Sequence, residues 1–177
     1  MSAFQIESER LLFRELEDSD LDFVSEMLGD PDVMRFWPAP YTREGAAEWI
    51  ARHRRRYETD GYGYWLAVLN ENGRPVGQVG LLAQEFDGRK EVGLGYIMHR
   101  PFWRQGFAEE GARACASYGF RELDLEKIVI LVRPENLPSL SLARKLGARL
   151  VSRVEYYGLP HEVFELYPWS LHAGFKR

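Results

Sequence analysis

At 177 residues, 45% apolar and 28% charged, the chain is long enough to bury a real core in one domain and has the profile of a soluble globular protein. Its formal net charge of −4 lacks the basic footprint of general nucleic-acid binding and mildly favours a cationic substrate. The lone cysteine, Cys115, excludes an intrachain disulfide, and no apolar run approaches the roughly 18 residues that span a membrane. Met-Ser-Ala-Phe-Gln-Ile-Glu at the start shows no charged-then-apolar signal pattern, so a cytoplasmic location is expected. Cys115 falls in a helical run and reads as a small core residue.

In chain order, residues 4–16 read as a strand. Asp18 caps a helix through Leu28 whose inner face is Leu21, Val24 and Leu28. Thr42 caps a second helix to about Thr59, with a basic end that suits the helix dipole. Residues 62–69 form a strand, Asn70 to Arg74 a hairpin turn with an Asn-Gly signal, and residues 75–84 the returning strand. Asp87-Gly88 turns the chain into a strand over residues 91–98. A helix covers residues 106–123, the apolar run at 127–133 is a central strand, and a helix over 136–146 ends at Gly147. Residues 150–157 and 161–169 form a last hairpin around Gly158-Leu-Pro. This β-α-α-β-β-β-α-β-α-β-β order implies a mixed sheet of about seven strands with helices on both faces, in a single domain over residues 1–177.

The stretch from Val92 to Ala108 is the most informative. A strand runs into a short loop, broken by Pro101 and Phe102, and a helix opens on Gly106. Such a loop leaves backbone N–H groups unpaired and pointing one way, an anion cradle suited to a phosphate or pyrophosphate. Gly106 allows close approach of a ligand and Ala108 keeps the next position small. A Walker-A pattern is absent, which argues against a nucleotide triphosphatase. Asn136 and Ser139 lie three apart on one helix face, where Asn136 can be an N-cap and Ser139 a solvated hydroxyl, or both can meet a ligand.

Trp103-Arg104-Gln105-Gly106-Phe107-Ala108 resembles the Q/R-x-x-G-x-G/A acyl-CoA motif of the GNAT acetyltransferases. Trp at the first position, with Gly95-Tyr96 before it, resembles the ribosomal-protein N-terminal (RimJ/RimL-type) branch. Glu9-Arg10-Leu11-Leu12-Phe13-Arg14, Asn136-Leu-Pro-Ser139 and Lys145-Leu-Gly147 extend the likeness over nearly the whole chain. The resemblance implies an α/β (α+β) GNAT fold, splayed between the fourth and fifth strands (residues 91–98 and 127–133). It also implies an acetyl-CoA-dependent N-acetyltransferase that uses no metal and acts on a primary amine by direct transfer. No Cys/His cluster suggests a metal site. Pantetheine would pair with backbone groups of Ile97, Met98 and His99, and N–H groups from Arg104 to Ala108, with Trp103 and Gln105 alongside, would hold the pyrophosphate. Arg104 would offset Glu109 and Glu110. Asn136 would bond the pantetheine, and Ser139 would sit near the thioester sulfur.

Two positions depart from the family pattern. The Tyr that many GNATs place after the Asn motif is Ala143 here, so Ser139 stands as the catalytic hydroxyl. The Glu that the branch carries before Gly-Tyr is Gly93, which leaves Glu91, on the same strand face but about 6–7 Å further along, as a candidate acting through water. An α-amine near pKa 8 tolerates a weak base far better than a lysine near 10.4. Trp37 and Tyr41 are expected in the acceptor wall. Tyr64 and Trp65 point to opposite faces, and Trp65 is the one expected there. The run Arg52-His53-Arg54-Arg55-Arg56 reads as the solvated end of the second helix, with an RNA or acidic-partner contact as the alternative. A GNAT-fold acyl-CoA-binding or sensing module with little turnover is the alternative to an enzyme. The expected partners are acetyl-CoA and an amine acceptor, with no nucleic acid or membrane, and a homodimer as in many relatives.

Overall fold

The computed structural model describes residues 6–172. Its strands are β1 (Ile6–Glu7), β2 (Leu11–Arg14), β3 (Tyr64–Leu69), β4 (Pro75–Phe86), β5 (Arg89–Met98), β6 (Ile128–Val132), β7 (Arg149–Tyr156) and β8 (Leu159–Leu166). Its helices are α1 (Leu21–Gly29), α2 (Arg43–Thr59), α3 (Phe107–Glu122), α4 (Leu137–Lys145) and α5 (Pro168–His172). The strands form one sheet in the order β1-β2-β3-β4-β5-β6-β8-β7. All neighbours are antiparallel except β5 and β6, which are parallel and meet only at Gly93 and Val129. That is the splay.

The seven expected strands become eight because the first folds back on itself. Ile6 pairs with Phe13 and Glu7 with Leu12, and the turn between them is closed by Ser8 N–H to Leu11 C=O at 2.8 Å. Expected residues 4 and 5 lie outside the described residues. At the other end the last strand stops at Leu166, and Pro168 and Trp169 open a short helix instead. Proline is well suited to the first turn of a helix, where its missing N–H has no partner to lose. The last hairpin turns on Tyr157 and Gly158, both at positive φ (49° and 72°), so Leu159 and Pro160 belong to β8 rather than to the turn.

Alternation on β3 shows how the sheet is covered. Tyr64, Leu66 and Val68 pack with Val24, Met27, Leu28 and Ile50 of α1 and α2. Trp65 and Ala67 pack with Ala112, Cys115 and Ala116 of α3 and with Leu140 of α4. Both faces are therefore buried, and β3 reads as an unbroken apolar run. Cys115 is fully buried, and burial pushes its thiol pKa well up, as fits a core residue rather than a nucleophile. No helix among the described residues is long and apolar enough to cross a membrane.

Candidate active site

The loop between β5 and α3 is held open by backbone geometry and by one arginine. Arg104 and Gly106 both have positive φ (60° and 83°), and Gly106 is the N-cap of α3 with no side chain capping it. Among the described residues, no N–H from Arg104 to Glu109 donates to a protein acceptor; the first bonded one is Glu110 N–H to Gly106 C=O at 3.0 Å. These orphan donors and the helix dipole make a site for an anion. Arg10 fixes the loop. Its Nη1 donates to Gln105 C=O at 2.9 Å, its Nε to Glu110 at 2.7 Å, and its guanidinium lies 4.4 Å from the Phe107 ring centroid.

Arg104 is exposed and forms no ion pair among the described residues, and it is not what offsets the acidic first turn of α3. Lys145 and Arg113 bond Glu109 and hold its carboxyl below the usual range. At Glu110, burial works upward, but the Arg10 backbone, Ser8 and the Arg10 side chain together bring the carboxyl below the usual range. The cradle keeps its positive potential because each carboxylate is already paired. Gln105 turns back to donate to Pro101 C=O at 3.0 Å.

Beyond Gly93, β5 has no strand partner on its β6 side. His99 N–H donates to Val76 C=O of β4 at 2.9 Å, and Ile97 is in register with Gln78. Ladder alternation then turns the backbone groups of Met98 and Tyr96 toward the open side. Trp103 Nε1 donates to Met98 C=O at 2.8 Å. The expectation that Ile97, Met98 and His99 all present groups to a ligand is thus narrowed: the His99 N–H and Met98 C=O are engaged, and Met98 N–H faces the gap.

Across the gap, α4 brings a hydroxyl pair together. Asn136 is the N-cap, its Oδ1 accepting from Ser139 N–H at 3.2 Å, and it also lines the cleft described below. Ser139 Oγ lies 2.7 Å from the Tyr96 hydroxyl. Burial raises the Tyr96 phenol to about 12 against the lowering effect of Ser139. At that value Tyr96 is a hydrogen-bond donor rather than a source of free proton. In the sequence Gly95-Tyr96 stands only as a motif; the signal for Tyr96 is its even spacing with Val92 and Leu94, which faces it to α4. Ala143 is fully buried in the core beneath.

The gap opens into a cleft of about 620 Å³ between α2, β4, β5, β6 and the last hairpin. Trp37 and Tyr41 line it, as does Tyr64. Trp65 does not: it is 1% exposed on the opposite sheet face, its ring 5.6 Å from that of Tyr118. The strand alternates as expected, but the cleft lies on the α2 face, so parity selects Tyr64. Glu91 is also displaced from its expected role. It is bound to Lys127 at 2.9 Å and lines no part of the cleft.

Above Gly93 lies Gln84 of β4 instead. A Cβ at Gly93 would run into the Gln84 amide, and Gln84 Oε1 is buried, unpartnered and at the cleft wall. An amide oxygen accepts a hydrogen bond but takes no proton.

The basic run on α2 divides by face. Arg54 turns outward to Asp18 at 2.7 Å, whereas Arg52, His53 and Arg56 line the cleft beside Trp49. Their spacing of three, four and seven from Trp49 places them on one helix face. His53 accepts Tyr64 N–H on Nδ1 at 3.2 Å. Burial first, then Arg56 and Arg52, push its pKa down to about 3, so the imidazole is neutral and carries its proton on Nε2. No group of three or more His, Cys, Asp or Glu side chains among the described residues could hold a metal.

A family model described as an acetyltransferase (GNAT) domain matches residues 10–149. YkkB of Bacillus subtilis, an uncharacterised protein, is 30% identical over 159 residues, 89% of this chain and 92% of its own. YnaD of the same organism, an uncharacterised N-acetyltransferase, is 28% identical over 145 residues, 81% and 82% of the two chains. The crystal structure of a GNAT-family acetyltransferase from Bacillus anthracis superposes with a TM-score of 0.79 at 24% identity, covering 93% of this chain and 98% of that one. RimL, a ribosomal L7/L12 alpha-N-protein acetyltransferase, shares the fold with a TM-score of 0.78 at 16% identity over 93% and 94%. A splayed sheet, an open helix N-terminus beside it and a match over most of the chain agree: this protein is an N-acetyltransferase that belongs to the GNAT family.

Proposed function

We propose that the protein transfers an acetyl group from acetyl-CoA directly to a primary amine, as one cytoplasmic domain of the RimJ/RimL-type branch. The observation that carries this reading is the pairing of an anion cradle at Gly106 with an unpaired strand edge that ends at Met98. The cradle suits a pyrophosphate and the edge suits the amides of pantetheine, laid down as an added strand. Trp103, the residue that marks the branch, has a physical task here, since it caps the carbonyl of Met98.

When bound, acetyl-CoA supplies an activated thioester: the amine nitrogen bonds to the acyl carbon, the carbon–sulfur bond breaks, and the amine's proton ends on the leaving thiol. Met98 N–H donates to the developing oxyanion. The Ser139 and Tyr96 hydroxyls form a relay at the sulfur. Gln84 Oε1 accepts from the amine and orients it. Among the described residues no carboxylate lines the cleft, and His53 holds its lone pair against Tyr64 N–H. The guanidinium groups of the wall disfavour an ammonium and so favour the neutral nucleophile.

Calorimetry with acetyl-CoA tests the reading. The wild type binds, and Gly106→Glu, which puts a strained side chain and a negative charge into the cradle, abolishes binding. A wild type with no affinity overturns it. Binding without thiol release against a broad amine panel overturns direct transfer to a primary amine.

A further inference from the structure

The acceptor cleft is charged opposite to the molecule. The chain carries a net charge of −4, which on its own favours a cationic acceptor. The cleft wall holds Arg52, Arg56 and Arg133 and, among the described residues, no aspartate or glutamate. Arg52 and Arg56 form no ion pair among the described residues; Arg52 is set by its 5.2 Å contact over the Trp49 ring, and that ring is pinned by its Nε1 donating to Gln78 at 2.9 Å. Arg133 reaches Phe36 C=O at 3.3 Å and Glu135 at 3.5 Å. Glu135 is itself 59% exposed, so the pair is well screened.

Two buried atoms at this wall have no partner: Arg133 Nε, a donor, and Gln84 Oε1, an acceptor. Buried polar groups without partners are rare, and at a cleft wall they mark the chemistry of what the cleft receives. The donor asks for an anion and the acceptor for an N–H. The same wall carries the aromatic rings of Trp37, Tyr41 and Tyr64.

Resting on the acetyl-transfer reading above, we propose that the acceptor is a primary amine that also carries an anionic group, a carboxylate or a phosphate, and that the cleft excludes polyamines. Arg52, Arg56 and Arg133 bind the anion, Gln84 receives the amine, and the aromatic wall holds the body of the substrate. Guanidinium groups match both anions in geometry as well as in charge. A polyamine brings two or three positive charges to a wall that already holds three, and like charges at close range repel.

The test uses matched acceptors that differ only in the anion, followed by thiol release from acetyl-CoA. Phenylalanine is compared with phenylalaninamide for the carboxylate, O-phosphoethanolamine with ethanolamine for the phosphate, and spermidine is the polycation. The expected result is a kcat/KM for at least one anionic member about ten- to a hundredfold above its neutral partner, the range of a charged hydrogen bond. Spermidine falls below the neutral amines. The pair that shows the preference tells carboxylate from phosphate.

Arg52→Met and Arg56→Met keep the packing of the side-chain stem and are each expected to shrink that preference through KM, with an unchanged melting temperature as the control for folding. Equal rates for both members of both pairs, or spermidine as the best acceptor, overturn the inference. If no member turns over, calorimetric titration of the CoA-loaded protein with the same compounds decides: tighter binding of an anionic member supports it, and none overturns it. Acetyl-CoA affinity measured alone keeps failure here distinct from failure of the acetyl-transfer reading, which requires that affinity to be absent.

Discussion

Gly95 allows a test of the cleft that needs no knowledge of the acceptor. Its position on β5 faces the α2 side, where a Cβ would come 2.8 Å from Tyr64 Cζ and closer still to the hydroxyl. Tyr64 cannot retreat easily, since its ring stacks on Trp49 at 5.4 Å and meets His53 at 5.2 Å. Gly95→Ala is therefore overpacking at a rigid wall, expected to cost about 1–3 kcal/mol, which lowers the melting temperature by about 2–4 °C per kcal/mol for a chain of this size. Tyr64→Phe removes the atom that clashes most; the hydroxyl makes no hydrogen bond among the described residues, so the single variant is expected to be near neutral. The double variant then recovers about 0.5–2 kcal/mol relative to the sum of the two. Urea melts of the four proteins measure this cycle, and acceptor KM is expected to rise in Gly95→Ala as the wall shifts. Strict additivity in the cycle would falsify the claim that Gly95 exists to seat Tyr64.

Two further expectations concern the hydroxyl pair and the buried imidazole. Ser139→Ala and Tyr96→Phe each remove one end of the same 2.7 Å hydrogen bond, so each is expected to lower kcat about three- to tenfold, and the double variant no more than the worse single; multiplied effects in steady-state assays mean that the two act separately. His53 is neutral when folded down to about pH 3 but protonates near 6.5 when unfolded. Between those values the unfolded chain binds the extra proton, so this contribution to stability is complete above 6.5 and declines as pH falls. His161, lowered chiefly by burial, acts with the same sign. Melting temperatures of wild type and His53→Gln between pH 7 and 5 check this: the wild type loses stability on acidification and the variant loses less. Parallel curves remove the buried imidazole from the account.

The β5–loop–α3 segment was legible because its signals are local: an apolar strand, Pro101, and a glycine that the positive φ at 106 requires. The order of elements and the two-sided sheet followed from period and turn chemistry in the same way. What the sequence withheld depends on faces and registers. Composition made residues 52–56 one basic run, whereas the helix sends Arg54 to Asp18 and Arg52 and Arg56 to the cleft. With helices on both sides of the sheet, alternation alone could not tell whether Tyr64 or Trp65 lines the cleft. The occupant of the space over Gly93 comes from Gln84 on another strand, and the partner of Ser139 from Tyr96, 43 residues earlier. Arg10 stood in the quoted motif, yet its grip on Gln105 and Glu110 appears only when β2 is laid beside α3.

The single backbone bridge between Gly93 and Val129 has a mechanical consequence. Hydrogen-bond continuity in the sheet breaks there, but hydrophobic continuity does not: one apolar cluster runs from Phe13 and Leu94 to Val132, Leu140 and Phe164 beneath the break. Cohesion between the two parts of the sheet thus comes from oily contact, which is non-directional and tolerates small sliding, while the directional bonds are left for a visitor to complete. A strand-like ligand can dock and leave without opening the core, and while it is docked it completes the hydrogen-bond ladder between β5 and β6. Amide exchange at Tyr96 and Met98 should therefore slow on loading far more than exchange at the buried amides of β3, where the ladder is already full.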